Sequence, residues 1–444
     1  MANNQTGEKT RPQLIQEIEE ARARFNNNPH NKDFRFELAE RVFEGGGFWE
    51  ARTLLQPLLD DQPDDRTVFR AAHLEYLLGK YESTEDLLIP LIEKQHAEPS
   101  KRVQSEVKLL FCCYHTNQFS RAHDLLKGME GQIQLPIWEQ MKSFKDEPYQ
   151  VNWQGERMTE VPFILTDPLP LIALEIQGKN IYALIDTGGD NLYLDSEYAA
   201  ALGIEAVATA EGTFGGGVKG EIGFAQGANL TLGEVTLNPV PITIMPTQRW
   251  SKGFADGKYP IGGVIGTGVL KQFLATLDYP AGRLVLRPRD EQDRQMFNTE
   301  AQGKATVSIP FVLEATHLMM AKGSLNGIPD LTFFVDSGLA STAAFTAPIQ
   351  TLEYAGIPVP ETKIHTDSIG GGGDGLWASG SFPIRELGLG PLTQKNAEGD
   401  YGSLTPETYW RHGFIQDGLI SHRFLRRYRW TLDFDAMQYH FIEP

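Results

Sequence analysis

Cysteine is nearly missing from this chain: 444 residues hold only two, Cys112 and Cys113, side by side. Adjacent thiols in a helical pattern cannot build a disulfide framework and lack the spacing of a metal site, so both are expected as buried core or interface residues. Long apolar runs are missing as well. No stretch reaches the ~18 residues of a membrane span, and the polar start Met1-Ala2-Asn3-Asn4-Gln5-Thr6 carries no apolar signal segment, which makes the cytoplasm the expected location and excludes a membrane partner. Basic charge is in short supply. With 40 Lys and Arg against 58 Asp and Glu, the formal charge of −18 argues against nucleic acid or an anionic lipid surface as partner. The ten histidines are scattered, with no His-Glu-x-x-His, so no metal is expected. No Gly-x-Ser-x-Gly elbow lies between a strand and a helix, and neither Gly run is followed by Gly-Lys-Ser/Thr. A serine triad and a nucleotide site are thereby excluded, and no cofactor is expected.

What is present suffices for real cores: 41% of the residues are apolar, and the length predicts about three domains at ~150 residues each. The chain changes character near residue 150. Before it, glycine is sparse and segments such as Gln13 to Phe25 and Phe34 to Phe43 have helical spacing. After it, glycine and β-branched residues take over, across a Pro-rich crossing from Tyr149 to Pro170. These shifts predict a multi-domain chain: a helical lead-in over 1–30, all-α repeats over 31–148, and two all-β units over 160–290 and 304–444. The charged stretch from Arg287 to Ala305 is expected as a solvated link between the last two.

The helical part repeats. Phe48-x-x-Ala51-x-x-Leu54-Leu55 returns as Tyr81-x-x-Thr84-x-x-Leu87-Leu88 and as Phe119-x-x-Ala122-x-x-Leu125-Leu126, at offsets of 33 and 38 residues. An aromatic, a small residue and a leucine pair at this period resemble a divergent tetratricopeptide array. Stacked helix pairs of that kind present a concave surface, and the resemblance implies docking of a protein partner or substrate.

The β-rich part repeats too, around Asp186-Thr187-Gly188 and Asp336-Ser337-Gly338. Each triplet ends an apolar run, Ile181-Tyr182-Ala183-Leu184-Ile185 or Leu331-Thr332-Phe333-Phe334-Val335. A Gly-rich segment follows each, at Phe214-Gly215-Gly216-Gly217 and at Ile369-Gly370-Gly371-Gly372-Gly373. Then come Val264-Ile265-Gly266 and Leu419-Ile420-Ser421, 80 and 85 residues after the respective Asp, with Thr276-Leu277-Asp278 and Thr431-Leu432-Asp433 12 residues further on. Four landmarks in one order at nearly one spacing indicate two copies of one β-fold. Asp278 and Asp433 precede hairpin-like segments and are expected to cap turns. His317 is expected in a strand.

These residues resemble the aspartic peptidase family, and its retropepsin-like branch in particular. Leu184-Ile185-Asp186-Thr187-Gly188-Gly189-Asp190 is similar to the active-site strand of that branch, including the second acid four positions on. Val335-Asp336-Ser337-Gly338-Leu339-Ala340-Ser341 is closer to the second lobe of pepsin-like enzymes, and Ser421 stands where the first copy has Gly266. The resemblance covers about 160–444 and implies a double-lobed fold, with both lobes in one chain as in pepsin. It implies an aspartic endopeptidase in which Asp186 and Asp336 share a proton and activate a water against a peptide bond. Thr187 and Ser337 would brace the pair across the lobes, and Gly188 and Gly338 would support it and meet substrate backbone. Asp190 would hold the substrate main chain, and the segments around Gly215, Gly216 and Gly217 and around Gly371 and Gly372 would close over it as flaps. Two other readings remain open at this stage: a catalytically inactive protease-like module or adaptor that binds peptides, and a scaffold whose helices do the work.

Overall fold

The computed structural model describes residues 9–93, 99–127, 135–213, 219–253, 257–340, 342–365, 377–402, 404 and 406–442. Its helical part runs through α1 (Arg11–Asn27), α2 (Lys32–Glu44), α3 (Phe48–Leu59), α4 (Asp65–Leu77), α5 (Tyr81–Glu93), α6 (Pro99–His115), α7 (Phe119–Leu125) and α8 (Pro136–Ser143). Side chains start these helices: Asn31 accepts the N–H groups of Asp33 and Phe34 ahead of α2, and Asp64 accepts that of Thr67 in α4. In the turns ahead of the three repeated aromatics, the residue two positions earlier is left-handed: Gly46 (φ 80°) before Phe48, Gly79 (φ 72°) before Tyr81 and Asn117 (φ 58°) before Phe119. Gly and Asn are the residues that take this conformation at least cost. Both cysteines are buried and unpaired in the packed interior of α6.

The first β unit comprises β1 (Gln150–Trp153), β2 (Thr159–Pro162), β3 (Leu171–Ile176), β4 (Lys179–Ile185), β5 (Leu192–Asp195), α9 (Ser196–Ala201), β6 (Ala206–Thr213), β7 (Lys219–Leu232), β8 (Val235–Met245), β9 (Ile261–Ile265), α10 (Thr267–Leu270), β10 (Leu274–Asp278) and β11 (Arg283–Arg287). After α11 (Glu291–Ala301) follow β12 (Thr306–Glu314), β13 (Leu318–Leu325), β14 (Ile328–Val335), β15 (Phe345–Ala347), α12 (Ile349–Tyr354), β16 (Lys363–His365), β17 (Trp377–Leu389), β18 (Leu392–Tyr401), β19 (Gly418–Ile420), α13 (His422–Leu425), β20 (Arg429–Asp433) and β21 (Gln438–Ile442). A helical region followed by a double-lobed β-protease fold is therefore the architecture. Among the described residues, no helix is long and apolar enough to cross a membrane.

Strand pairing follows one pattern in both lobes. In the first, β4 runs parallel to β9 with Ile185 opposite Ile265; in the second, β14 runs parallel to β19 with Val335 opposite Ile420. β5 and β15 pair antiparallel with β9 and β19 on the other side, and parallel with β8 and β18. The lobes join where β10 pairs with β20, placing Thr276 opposite Thr431, with 2.7 Å between the two hydroxyls. The buried side chains of both lobes form one continuous apolar cluster across this junction.

Two expectations change. The charged stretch expected as a solvated link is α11, started by Asp290 accepting the Asp293 N–H, with Phe297 and Ala301 buried and Arg294 paired to Asp433 and Asp435. Its charges occupy one face of a helix whose other face is packed, which a composition count does not resolve. His317 lies outside any strand, in the turn between β12 and β13, where Ala315 has φ 50°. Asp278 and Asp433 do cap turns, accepting from Ala281 N and from Asp435 N and Ala436 N.

Candidate active site

Asp186 and Asp336 sit at the ends of β4 and β14, each held by the neighbouring parallel strand. The Asp186 N–H donates to Ile265 O and the Asp336 N–H to Ile420 O, both at 2.9 Å. Each carboxylate then folds over its own turn, Asp186 Oδ1 accepting from Gly188 N at 2.6 Å and Asp336 Oδ1 from Gly338 N at 2.8 Å. Beneath them the hydroxyl residues exchange bonds. Thr187 N donates to Ser337 Oγ at 3.0 Å, Ser337 N donates to Thr187 Oγ1 at 2.9 Å, and Thr187 Oγ1 donates to Val335 O at 3.2 Å. Both hydroxyl residues are fully buried.

The glycines of the triplets are packed crosswise. A Cβ on Gly188 would stand 2.5 Å from Asp336 Oδ1, and one on Gly338 would stand 1.9 Å from the Asp186 carboxyl carbon. No real side chain fits there, so glycine in each lobe is what lets the other lobe's carboxylate in. The two carboxyls hydrogen-bond to each other. Burial lifts Asp186 above the ordinary carboxyl range, and lifts Asp336 much further because the neighbouring charge of Asp186 adds to it. The pair thus retains a proton where isolated carboxyls would have lost it.

The substitution of Ser421 for glycine has a local reason. At Gly266 a Cβ would lie 2.4 Å from Asn191 O, whereas Ser421 caps α13 by accepting from Arg423 N and donates its hydroxyl to Ala343 O at 2.5 Å. The second lobe has three more residues between its Asp and the carbonyl that accepts this position's N–H, Ala344 O against Asn191 O in the first, and that slack makes room for a side chain.

Asp190 folds back on its own loop, with Oδ1 accepting from Tyr193 Oη at 2.6 Å and from Asn191 N at 2.8 Å. A pocket of about 170 Å³ opens beside Asp186, lined by Gly188, Gly189, Tyr193, Met245, Trp250 and Val264. Gly215, Gly216, Gly217, Gly371 and Gly372 lie outside the described residues. Among those described, no group of three or more His, Cys, Asp or Glu is arranged to hold a metal ion. Sequence reasoning missed Tyr193 and Trp250, which carry no motif, and His317, a lone histidine. His317 lies within electrostatic reach of Asp186 and Asp190, with its ring against Phe334 and its Nδ1 2.9 Å from Thr316 Oγ1.

Two parallel-strand arches that present acidic turns to each other define an aspartic protease-like β region. The family model described as aspartyl protease matches residues 172–269, the stretch that holds Asp186, its turn and most of the pocket wall. No curated protein matches the chain.

Proposed function

We propose that this chain is an aspartic endopeptidase whose two lobes are a pepsin-like pseudo-dimer within one polypeptide. The observation that carries the reading is the crosswise packing of Gly188 on Asp336 and Gly338 on Asp186, which brings two carboxyls into one hydrogen bond at the lobe boundary. An ordinary surface turn has no use for such an arrangement. In the cycle, the ionised carboxylate takes a proton from a water as its oxygen attacks the peptide carbonyl. The protonated partner donates to that carbonyl oxygen, giving a tetrahedral diol; the proton taken from the water then passes to the nitrogen, and as the C–N bond breaks a diol hydroxyl returns its proton to the partner, leaving acid, amine and a singly protonated pair. Asp186 and Asp336 exchange these two roles in the course of the cycle, since the shared proton belongs to the pair. Thr187 and Ser337 keep the carboxyls at this separation, and the pocket lined by Tyr193, Met245, Trp250 and Val264 suits an apolar side chain next to the scissile bond. The tetratricopeptide-like helices dock a protein substrate or partner, and the enzyme works in the cytoplasm.

Purified wild type, Asp186→Asn and Asp336→Asn, assayed on an unfolded protein from pH 3 to 8, test this directly. Cleavage by wild type that both variants lose supports the reading. Wild type that binds peptide without cutting it at any pH replaces it with an inactive peptide-binding module.

A further inference from the structure

The helical array does not stand apart from the β lobes. It bridges them. At its start, Arg11 of α1 forms a buried ion pair with Asp417, whose carboxylate also accepts Thr332 N on β14. Phe43 and Phe48 pack on Phe414, in one apolar cluster with Val312, Phe334 and Leu419 of the second lobe. At its end, Gln140 of α8 donates to Ala225 O and Ile242 O in the first lobe. Between these anchors, α4 and α6 reach the two loops that flank the dyad.

On the first lobe, Tyr114 Oη donates to Asn191 Oδ1 at 2.8 Å, five residues after Asp186. Lys271 Nζ, just past α10, donates to the last carbonyls of α6, Tyr114 O at 3.2 Å and His115 O at 3.4 Å, and lies 4.5 Å over the Tyr114 ring. Burial pushes this amine well below the ordinary lysine range, and it serves as a hydrogen-bond donor to the orphan carbonyls of the helix C-terminus. On the second lobe, Tyr76 Oη at 2.5 Å and His115 Nε2 at 2.7 Å both donate to Ala315 O, and His73 Nε2 is 3.1 Å from Glu314. Ala315 is the left-handed residue of the turn that ends in His317. Burial keeps His115 neutral, so its Nε2 carries the proton that Ala315 O receives.

We propose that the helical array positions the active site, with Tyr114 holding the Asp190–Asn191 loop of one lobe and Tyr76 and His115 holding the turn that carries His317 in the other. The inference rests on the aspartic-peptidase reading for its catalytic consequence but not for its geometry. Asp186 and Asp190 of the first lobe, His115 of α6 and His412 of the second lobe are the titratable groups that interact with His317. His317 is a positioning and tuning residue in this arrangement: its imidazole, with a pKa lowered chiefly by burial, lies within electrostatic reach of Asp186 without taking part in bond cleavage. The array and the two lobes form one working unit.

The test uses the full-length chain. Tyr114→Phe and Tyr76→Phe each delete a single hydroxyl without emptying the core, while His115→Gln keeps a donor and His115→Leu removes it. On the fold-change expected for one buried hydrogen bond, each Phe variant and His115→Leu should lower kcat/KM by about five- to tenfold, mostly in kcat, with His115→Gln restoring much of it. His317→Gln should reproduce the accompanying change in the pH profile. Phe variants that fold, cleave and titrate as wild type would overturn the inference, even should His115→Leu fail to fold. A second readout needs no catalysis. With histidine labelled at 13Cε1 and the His317 signal assigned by its loss in His317→Gln, the imidazole should titrate at lower pH in Asp186→Asn than in wild type. It should also move in Tyr76→Phe. An imidazole indifferent to both substitutions overturns the inference, and a chain that cleaves nothing but shows both shifts overturns only the peptidase reading.

Discussion

Thr187 and Ser337 each donate a backbone N–H to the other's hydroxyl, at 3.0 and 2.9 Å, 150 residues apart in the chain and fully buried. Neither hydroxyl can be removed alone without leaving a buried donor unmatched. Thr187→Val should therefore cost about 2–3 kcal/mol, since it strands the Ser337 N–H and abolishes the bond to Val335 O as well. Ser337→Ala should cost a similar amount by stranding the Thr187 N–H, and the double variant about the sum, because each hydroxyl serves a backbone N–H that neither substitution removes. Calorimetric melting of the four proteins checks this, and a double variant no less stable than either single one would refute it.

Gly338→Ala is the sharper probe of the carboxyl pair. Its Cβ would fall 1.9 Å from the Asp186 carboxyl carbon, so the carboxylate must move by more than an ångström. Displacement on that scale should lower kcat/KM by at least ~100-fold. Gly188→Ala, with its Cβ 2.5 Å from Asp336 Oδ1, should do less harm but in the same direction. Steady-state kinetics on the two variants, compared with their melting temperatures, separates a displaced carboxyl from a lost fold.

The pH profile of kcat/KM should be bell-shaped. Activity needs one proton on the pair, so the two limbs report the pair's two proton losses, both raised by burial and the second raised further by the charge left on the partner. The maximum should therefore fall at weakly acidic to neutral pH. Replacing His317 by Gln should move the acid limb, because a positive imidazole at low pH favours an ionised Asp186. A maximum below the pH at which an ordinary carboxyl ionises would contradict the raised pair.

Acid should loosen the seam between the helices and the second lobe. Burial lowers His73 from 6.5 to about 4, so as the pH falls the unfolded chain takes up this proton before the folded one does. The stabilisation is complete above about pH 6.5 and drains away towards pH 4, on the order of 3 kcal/mol for this one buried imidazole. His422, lowered to about 4 mainly by burial, acts in the same window. Glu314, held down to about 2 by the Lys108 charge and the His73 contact against the opposing effect of burial, withdraws its share only below about 4.5. Melting curves at pH 7 and pH 5 should show the loss, and His73→Gln should flatten it.

Arg11 of α1 pairs inside the protein with Asp417. Arg11→Ala takes the paired guanidinium from that buried carboxylate, which keeps the Thr332 N–H and the more distant Lys322, and should destabilise by about 3 kcal/mol. Limited proteolysis should then cut α1 before the lobes.

The two acidic triplets, the doubled landmarks and the helical repeat were legible in the sequence because each is a local pattern with a spacing. The Thr276 and Thr431 motifs even pair with each other, residue opposite residue, where β10 meets β20. What stayed hidden depended on distant packing. Nothing near His317 in the chain marks it, since its place is set by Tyr76 and His115 some 200 residues earlier. The buried face of α11 was masked by its charges, and Ser421 looked like a defect until the Ala343 carbonyl came to meet it. Trp250 and Tyr193 line the pocket from segments without any recognisable motif.

The crosswise glycines make each lobe answerable for the other. The space for Asp186 is owned by the second lobe and the space for Asp336 by the first. A side chain introduced at either glycine is therefore felt first in the opposite lobe, as a carboxylate pushed out of place, while the lobe that carries the change keeps its own strands intact.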